Sequence, residues 1–124
     1  MFESEFDAFG RVIAQIDPRG TTQYQYRIYT SGDVRSSVEI RQPSPGGTLD
    51  RPVTINQYDA AQNLIKTIVA TAPYSDNSFG TAATSLYYTR YVYDDLNRMV
   101  EIYRTNPDNA AAEFLAEEYQ FDKN

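Results

Sequence analysis

The chain has 124 residues, of which 41% are hydrophobic and 23% are charged, and its net charge is −6. This length allows a single domain, and the acidic balance argues against a general nucleic-acid-binding surface. Histidine and cysteine are both absent, which excludes Ser-His-Asp and Cys-His nucleophiles, zinc sites with the usual ligands, and disulfides. The sequence also has no apolar run long enough to span a membrane and no signal-peptide pattern after Met1.

Short segments rich in aromatic and β-branched residues follow one another along the chain, which is typical of strands. Pairs of aromatic residues two positions apart, such as Tyr24 with Tyr26 and Tyr91 with Tyr93, would lie on one face of a strand. These patterns predict an all-β fold, an antiparallel, twisted sheet of tandem β-hairpins. The candidate strands are at about 2–7, 11–17, 22–30, 34–41, 52–58, 64–71, 85–94, 98–104 and 113–121.

Three connections and one ambiguous segment complete this prediction. Residues 31–33 form a short turn, and the proline- and glycine-rich residues 43–47 and residues 72–81 form loops. Residues 108–117 are rich in helix formers and follow an Asn-Pro pair, so they can form a short helix. We favour a loop followed by a strand there, because residues 118–122 need an extended lead-in.

One phrase recurs between the candidate strands. It consists of an aromatic residue, an aspartate, two turn residues, a turn-former, Arg or Asn, and an apolar residue. Complete copies occupy residues 6–12, 58–64 and 93–99, and a fourth begins at residue 121. A recurrent turn predicts recurrent hairpins, and so an array rather than a globule around one active site. The residues that we assign to this structural turn motif are Asp7, Gly10, Arg11, Asp59, Asn63, Asp94, Asn97, Arg98 and Asp122.

Each position of the phrase has a physical reason. The aspartate can accept a hydrogen bond from the backbone N–H two residues on, which closes an Asx turn. The next two residues suit a type I turn, and the turn-former then needs a positive φ if the loop is a three-residue hairpin with a bulge. Gly10 and Asn97 suit that position. Gln62 does not, so we expect the middle turn to be strained or to use a different geometry.

The phrase resembles the YD repeats of Rhs-type bacterial surface and toxin-delivery proteins and of animal teneurins. Residues 17–26 add to the likeness, because Asp-Pro-Arg-Gly looks like the linker between successive repeats of that family. Residues 31–52 and 72–84 match only loosely, and the phrase keeps its glycine only at Gly10. The resemblance implies a sheet that spirals into a hollow shell around another polypeptide, such as a toxin. No self-cleaving segment or C-terminal toxin is recognised here.

A domain of residues 1–124 is then a single YD-repeat segment. Because the last residues stop within a copy of the phrase, we expect a piece of a larger polypeptide that is secreted or attached to the cell surface. Its expected partners are neighbouring repeats of the parent chain, or copies of itself paired through sheet edges, and an enclosed polypeptide. We expect no nucleic acid, membrane span, cofactor or metal ion.

Side chains that could carry chemistry are few. The carboxylate pairs at 3/5, 94/95 and 117/118 could in principle hydrolyse glycosides, but an amphipathic strand, a turn and an exposed surface explain them. We therefore predict a structural protein rather than an enzyme. The alternative is a glycan-binding or adhesive module in which exposed tyrosines stack on sugar rings. The candidate stacking residues are Tyr88, Tyr91, Tyr93 and Tyr103.

Overall fold

The computed structural model describes residues 3–18, 20–46, 49–75, 79–106 and 109–118. These residues form nine antiparallel strands in one open sheet, whose spatial order is the order of the chain. The predicted all-β sheet of tandem hairpins is therefore confirmed. The strands are β1 (Glu3–Phe6), β2 (Val12–Asp17), β3 (Gly20–Ile28), β4 (Ser36–Arg41), β5 (Arg51–Tyr58), β6 (Leu64–Ala72), β7 (Thr84–Tyr93), β8 (Met99–Asn106) and β9 (Asn109–Glu118).

Over the described residues 109–117 the helix considered for residues 108–117 is wrong, and so is the loop that we favoured before residue 113. Residue 108 and residues 119–121 of the candidate strand lie outside the described residues. Asn109–Glu118 is a strand that pairs with β8 along its length, with Arg104 opposite Phe114 and Thr105 opposite Glu113. Pairing with a neighbouring strand overrides a modest helix preference, because the ladder satisfies the backbone groups equally well and also packs side chains. Among the described residues, no helix is long and apolar enough to cross a membrane.

The up-and-down order sends alternate connections to opposite ends of the sheet. The three aspartate turns (7–11, 59–63 and 94–98) and the loop 29–35 lie at one end, which we call the turn end. The connection after β2 and the longer loops after β4 and β6 lie at the other end. The three described copies of the sequence phrase thus all lie at the turn end of the sheet.

One face of the sheet is partly covered by residues 79–83, which we call the strap. Alternation along the strands places Arg41, Val53 and Ala70 on this face, and they are opposite one another in register. Val53 and Ala70 are buried together with Ala72, and Ala83 of the strap packs against them. This small cluster holds most of the fully buried apolar side chains of the described chain, so a single-layer sheet depends heavily on its hydrogen-bonded ladders.

Two arginines, Arg41 and Arg51, are buried in the sheet, and Arg41 contacts the strap. Arg41 is 1% exposed; its Nε donates to Glu39 at 2.6 Å, its Nη2 donates to the Thr81 carbonyl at 2.7 Å, and its guanidinium stacks on Phe79. Arg51 donates to backbone carbonyls of residues 21, 41 and 42. A buried charge is tolerated only when it is paired or fully hydrogen-bonded. Arg41 therefore fixes the strap to the sheet.

Candidate functional site

The three aspartate turns share one geometry. In each turn Oδ1 of the aspartate accepts the backbone N–H groups two and four residues on, at 2.9–3.0 Å. The backbone carbonyl of the aspartate accepts the N–H of the turn-former, and its own N–H donates to the carbonyl of the Arg or Asn. The turn-formers all have positive φ, namely Gly10 at 81°, Gln62 at 67° and Asn97 at 60°. All three turns therefore have the geometry described for the phrase, and in the middle turn Gln62, a residue with a Cβ, takes the left-handed conformation.

The second carboxylate oxygen recognises the next residue of the phrase. Oδ2 accepts Nε of Arg11 at 2.7 Å in the first turn, and Nε of Arg98 at 2.9 Å in the third. In the second turn Oδ2 of Asp59 accepts the amide of Asn63 at 3.2 Å. The Arg or Asn of the phrase is therefore a local clamp on the aspartate.

These contacts shift the acidity of the turn carboxylates. The backbone hydrogen bond from Arg98 is the main cause that lowers the pKa of Asp94 below its usual range. Partial desolvation acts to raise the pKa of Asp7, but hydrogen bonds from Arg11 and Phe9 outweigh it, so that pKa is also lowered. Both carboxylates are consequently held in their charged form, as acceptors for the turn.

Adjacent turns also touch each other. The amide Nδ2 of Asn63 in the second turn donates to Oδ1 of Asn97 in the third, at 3.1 Å. Tyrosines beside the turns add anchors: the hydroxyl of Tyr26 donates to the Val12 carbonyl at 2.8 Å, and that of Tyr93 to the Leu64 carbonyl at 2.7 Å. Burial raises the pKa of both hydroxyls. At the turn end the second and third turns are therefore linked to each other, and the tyrosines tie neighbouring strands together.

The four candidate stacking tyrosines are divided between the two faces of the sheet. Tyr88 and Tyr103 lie on the strap face, in register with Ile68 and with Arg90. Tyr91 and Tyr93 alternate to the other face, and all four tyrosines are half-buried. The structure therefore brings these side chains together in pairs and not as one sugar-stacking surface.

The pair on the strap face is part of a cross-strand network. Glu113 on β9 accepts the Tyr88 hydroxyl at 2.6 Å and Nη2 of Arg90 at 2.7 Å. The hydrogen bond from Arg90 is the main cause that lowers the Glu113 pKa to about 2. Lys66 lies 4.0 Å above the Tyr88 ring, and the Arg90 guanidinium 4.3 Å from the Tyr103 ring. One side of each ring is thus occupied by a cation, and the network secures β9 to β7.

Two grooves lie on either side of the β3–β4 hairpin. The larger, of about 600 Å³, lies at the turn end and is lined by Arg11, Tyr26, Arg35 and Tyr58 among others. The smaller, of about 240 Å³, lies on the strap face. Neither groove was predicted, because the loop 29–35 and the strap bring together residues whose separation in sequence carries no periodic signal.

Within the described ranges, no three carboxylates, histidines or cysteines converge so as to hold a metal ion. Asp122, the onset of the fourth phrase, lies outside the described residues. Comparisons of the chain with protein-family models, curated proteins and solved structures find no match. The likeness to YD repeats accordingly rests on the residues of the phrase and stays a prediction.

Proposed function

We propose that this chain is a wall segment of a large secreted or cell-surface protein of the YD-repeat type, which encloses or presents another domain. It acts as a scaffold and not as an enzyme. The observation that carries this proposal is the recurrence of one turn, with the same hydrogen bonds at each copy, along one end of an open sheet. A wall needs such a unit, because each hairpin must present the same edge to the next.

The contact between the second and third turns supports this proposal. Those turns are separated by two strands, β6 and β7, and the hydrogen bond between Asn63 and Asn97 spans that interval. These two copies of the phrase therefore contact each other at the turn end as well as through the strands. An array built this way can be extended by further hairpins without any change in the turn.

Both edges of the sheet support it too. Among the residues that the structure describes, β1 pairs only with β2, and β9 pairs with β8 as the last strand of the order. An outer strand leaves backbone N–H and C=O groups without ladder partners, so it templates a further strand. Phe114 on β9 is 50% exposed and Phe6 on β1 is 58% exposed. We infer that further repeats of a parent chain, or copies of this chain, pair with these edges.

Edge pairing is tested by size-exclusion chromatography with light scattering over a range of protein concentrations. We expect the wild-type chain to self-associate. Phe114→Lys should shift it towards the monomer, since an edge lysine opposes strand addition. The matched control is Ile28→Lys, which places the same charge at an exposed apolar position of the interior strand β3 and should leave association unchanged.

Two results would count against the wall proposal. A wild-type chain that stays monomeric at every concentration would show that its edges are not adhesive. An equal effect of the two lysine variants would show that association depends on surface hydrophobicity and not on the edge. Circular dichroism of each variant separates loss of association from loss of folding.

The alternative proposal is a glycan-binding or adhesive module that uses exposed tyrosines. On the strap face its candidates are Tyr88 and Tyr103, which are both half-buried. Loss of glycan binding in Tyr88→Ala or Tyr103→Ala, with folding retained, would favour this alternative over the wall. The cations that already cover one side of each ring leave it with less support than the wall.

A further inference from the structure

The smaller groove lies on the strap face, between the strap and the end of β3. Its floor comes from two rows of residues that are opposite one another across β3, β4 and β5. One row is Gln25, Glu39 and Ile55, and the other is Arg27, Ser37 and Gln57. Phe79 of the strap and Tyr29 contribute to its walls. The groove thus exists because Arg41 holds the strap above the sheet.

Its space is small and its lining is mixed. About 240 Å³ is less than the roughly 300–1,000 Å³ of pockets for drug-sized ligands, so it suits a compact molecule. Two amides, of Gln25 and Gln57, and the hydroxyls of Ser37 and Tyr29, which lie 3.4 Å apart, supply both donors and acceptors. Within the described part of the chain the Gln57 amide makes no hydrogen bond, while Ile55 and Phe79 supply apolar surface. Such a lining matches a ligand whose hydroxyls surround a carbon ring.

The charges around the groove favour an anionic ligand, although the chain as a whole is acidic. The only carboxylate among the described lining residues, Glu39, is paired with Arg41 at 2.6 Å. The Arg27 guanidinium makes one hydrogen bond, at 3.2 Å, to the neutral amide of Gln25. Lys66 follows Gln57 in the same cross-strand row. A planar guanidinium with unused N–H groups is suited to grip a carboxylate through two parallel hydrogen bonds.

We propose that this groove binds a sugar acid, namely a hexuronate residue, whether free or within an acidic glycan. Arg27 holds the carboxylate, the Gln57 amide and the Ser37 hydroxyl bond the ring hydroxyls, and the walls at Tyr29 and Phe79 contact the ring carbons. The site differs from the tyrosines Tyr88, Tyr91, Tyr93 and Tyr103 discussed above. It does not depend on the wall function, since its residues lie on a face and not at an edge strand.

Isothermal titration of the full chain with three probes tests the proposal. Glucuronate carries both the carboxylate and the sugar body, glucose lacks the carboxylate, and acetate lacks the sugar body. We expect glucuronate to bind at least about tenfold more tightly than glucose, the factor that a charge-assisted hydrogen bond supplies. We also expect it to bind at least about tenfold more tightly than acetate, which makes no hydrogen bonds through ring hydroxyls and no contacts through ring carbons. Titration with a short oligouronide then distinguishes a free sugar acid from a residue within a glycan chain.

Variants assign the binding to this groove. Arg27→Gln should weaken glucuronate about tenfold or more, and Gln57→Leu, which removes the amide at similar volume, should weaken it as well. Arg104→Gln is the matched control, because Arg104 is exposed on the other face, opposite Thr89, and should bind as wild type. Circular dichroism checks that each variant is folded.

Four results would overturn the proposal. These are no binding of glucuronate, equal binding of glucose, equal binding of acetate, and equal weakening by Arg27→Gln and Arg104→Gln. The first result would show that there is no site, and the second that the carboxylate is not recognised. The third would show that the sugar body adds nothing to binding, and the fourth that binding does not take place in this groove. None of them bears on the association experiment with Phe114→Lys, so failure here is distinguishable from failure of the wall proposal.

Discussion

Replacing Gln62 with glycine should stabilise the protein. Gln62 occupies the position of the middle turn where φ is 67°, whereas the first turn has Gly10 there and the third has Asn97. An ordinary L-residue in this left-handed region suffers a contact between its Cβ and the backbone, from which glycine is free. The Gln62 side chain is exposed, so Gln62→Gly relieves this contact with little loss of packing.

Two opposing effects set the size of the change. The left-handed conformation costs a residue with a Cβ roughly 1–2 kcal/mol. Glycine widens the unfolded ensemble, which returns about 0.5–1 kcal/mol of that gain. The net expectation is a rise of about 0.5–1 kcal/mol in the free energy of unfolding, or a few degrees in Tm for a domain of about this size. The hydrogen bonds of the turn are backbone bonds and the Asp59 bonds, which stay in place.

Urea unfolding followed by circular dichroism measures the change, with two variants as controls. Ala61→Gly lies in the same turn at an exposed residue without a positive φ, so it should destabilise slightly. Gly10→Ala adds a Cβ with no atom within 4 Å at φ +81°, so it should cost about 1 kcal/mol through conformation alone. If Gln62→Gly destabilised the protein as Ala61→Gly does, relief of backbone strain would be smaller than the entropy cost of glycine, and the reasoning would fail.

Three further predictions concern the sheet. The pKa of Glu113 is depressed from 4.5 to about 2, so its contribution to stability is complete above pH 4.5 and is lost as the pH falls towards 2. In urea titrations over that pH interval Glu113→Gln should lose less stability than the wild type, and an equal loss would contradict this. Val53 is 2% exposed, so Val53→Ala should lower the free energy of unfolding by about 2 kcal/mol. Ile28 is 78% exposed, so Ile28→Ala should change it by less than about 0.5 kcal/mol; similar costs would show that the cluster of Val53, Ala70 and Ala72 is not the core. Tyr93→Phe removes the hydrogen bond to the Leu64 carbonyl and should cost about 1 kcal/mol, which thermal unfolding of the two proteins checks.

The turns could be predicted from the sequence because everything that forms them is local. Asp94 bonds groups two and four residues on, and Arg98 and Asn97 belong to the same seven-residue phrase. Such contacts hold in any hairpin with this sequence, so their residue types suffice to predict them. Even the misfit of Gln62 follows from its lack of the freedom that glycine has at positive φ.

The last strand, β9, is an element whose secondary structure could not be predicted from local residue preference. The alanines and glutamates after residue 109 favour a helix as readily as a strand when taken alone. The partner strand β8 decides between them, since Asn109–Glu118 pairs with it and Glu113 reaches Tyr88 and Arg90 two strands away. Pairing of this kind depends on which segment lies alongside, and that is a property of the assembled sheet.

The sequence by itself determined the three aspartate chain reversals, because each is closed by hydrogen bonds within five residues. Only the tertiary structure decided what lies above the sheet. Arg41 binds the Thr81 carbonyl 40 residues away, and Arg27 faces the groove that the strap creates. A hairpin turn is set by hydrogen bonds within a few residues, whereas the return of a loop over a face depends on burial of side chains that are distant in the chain.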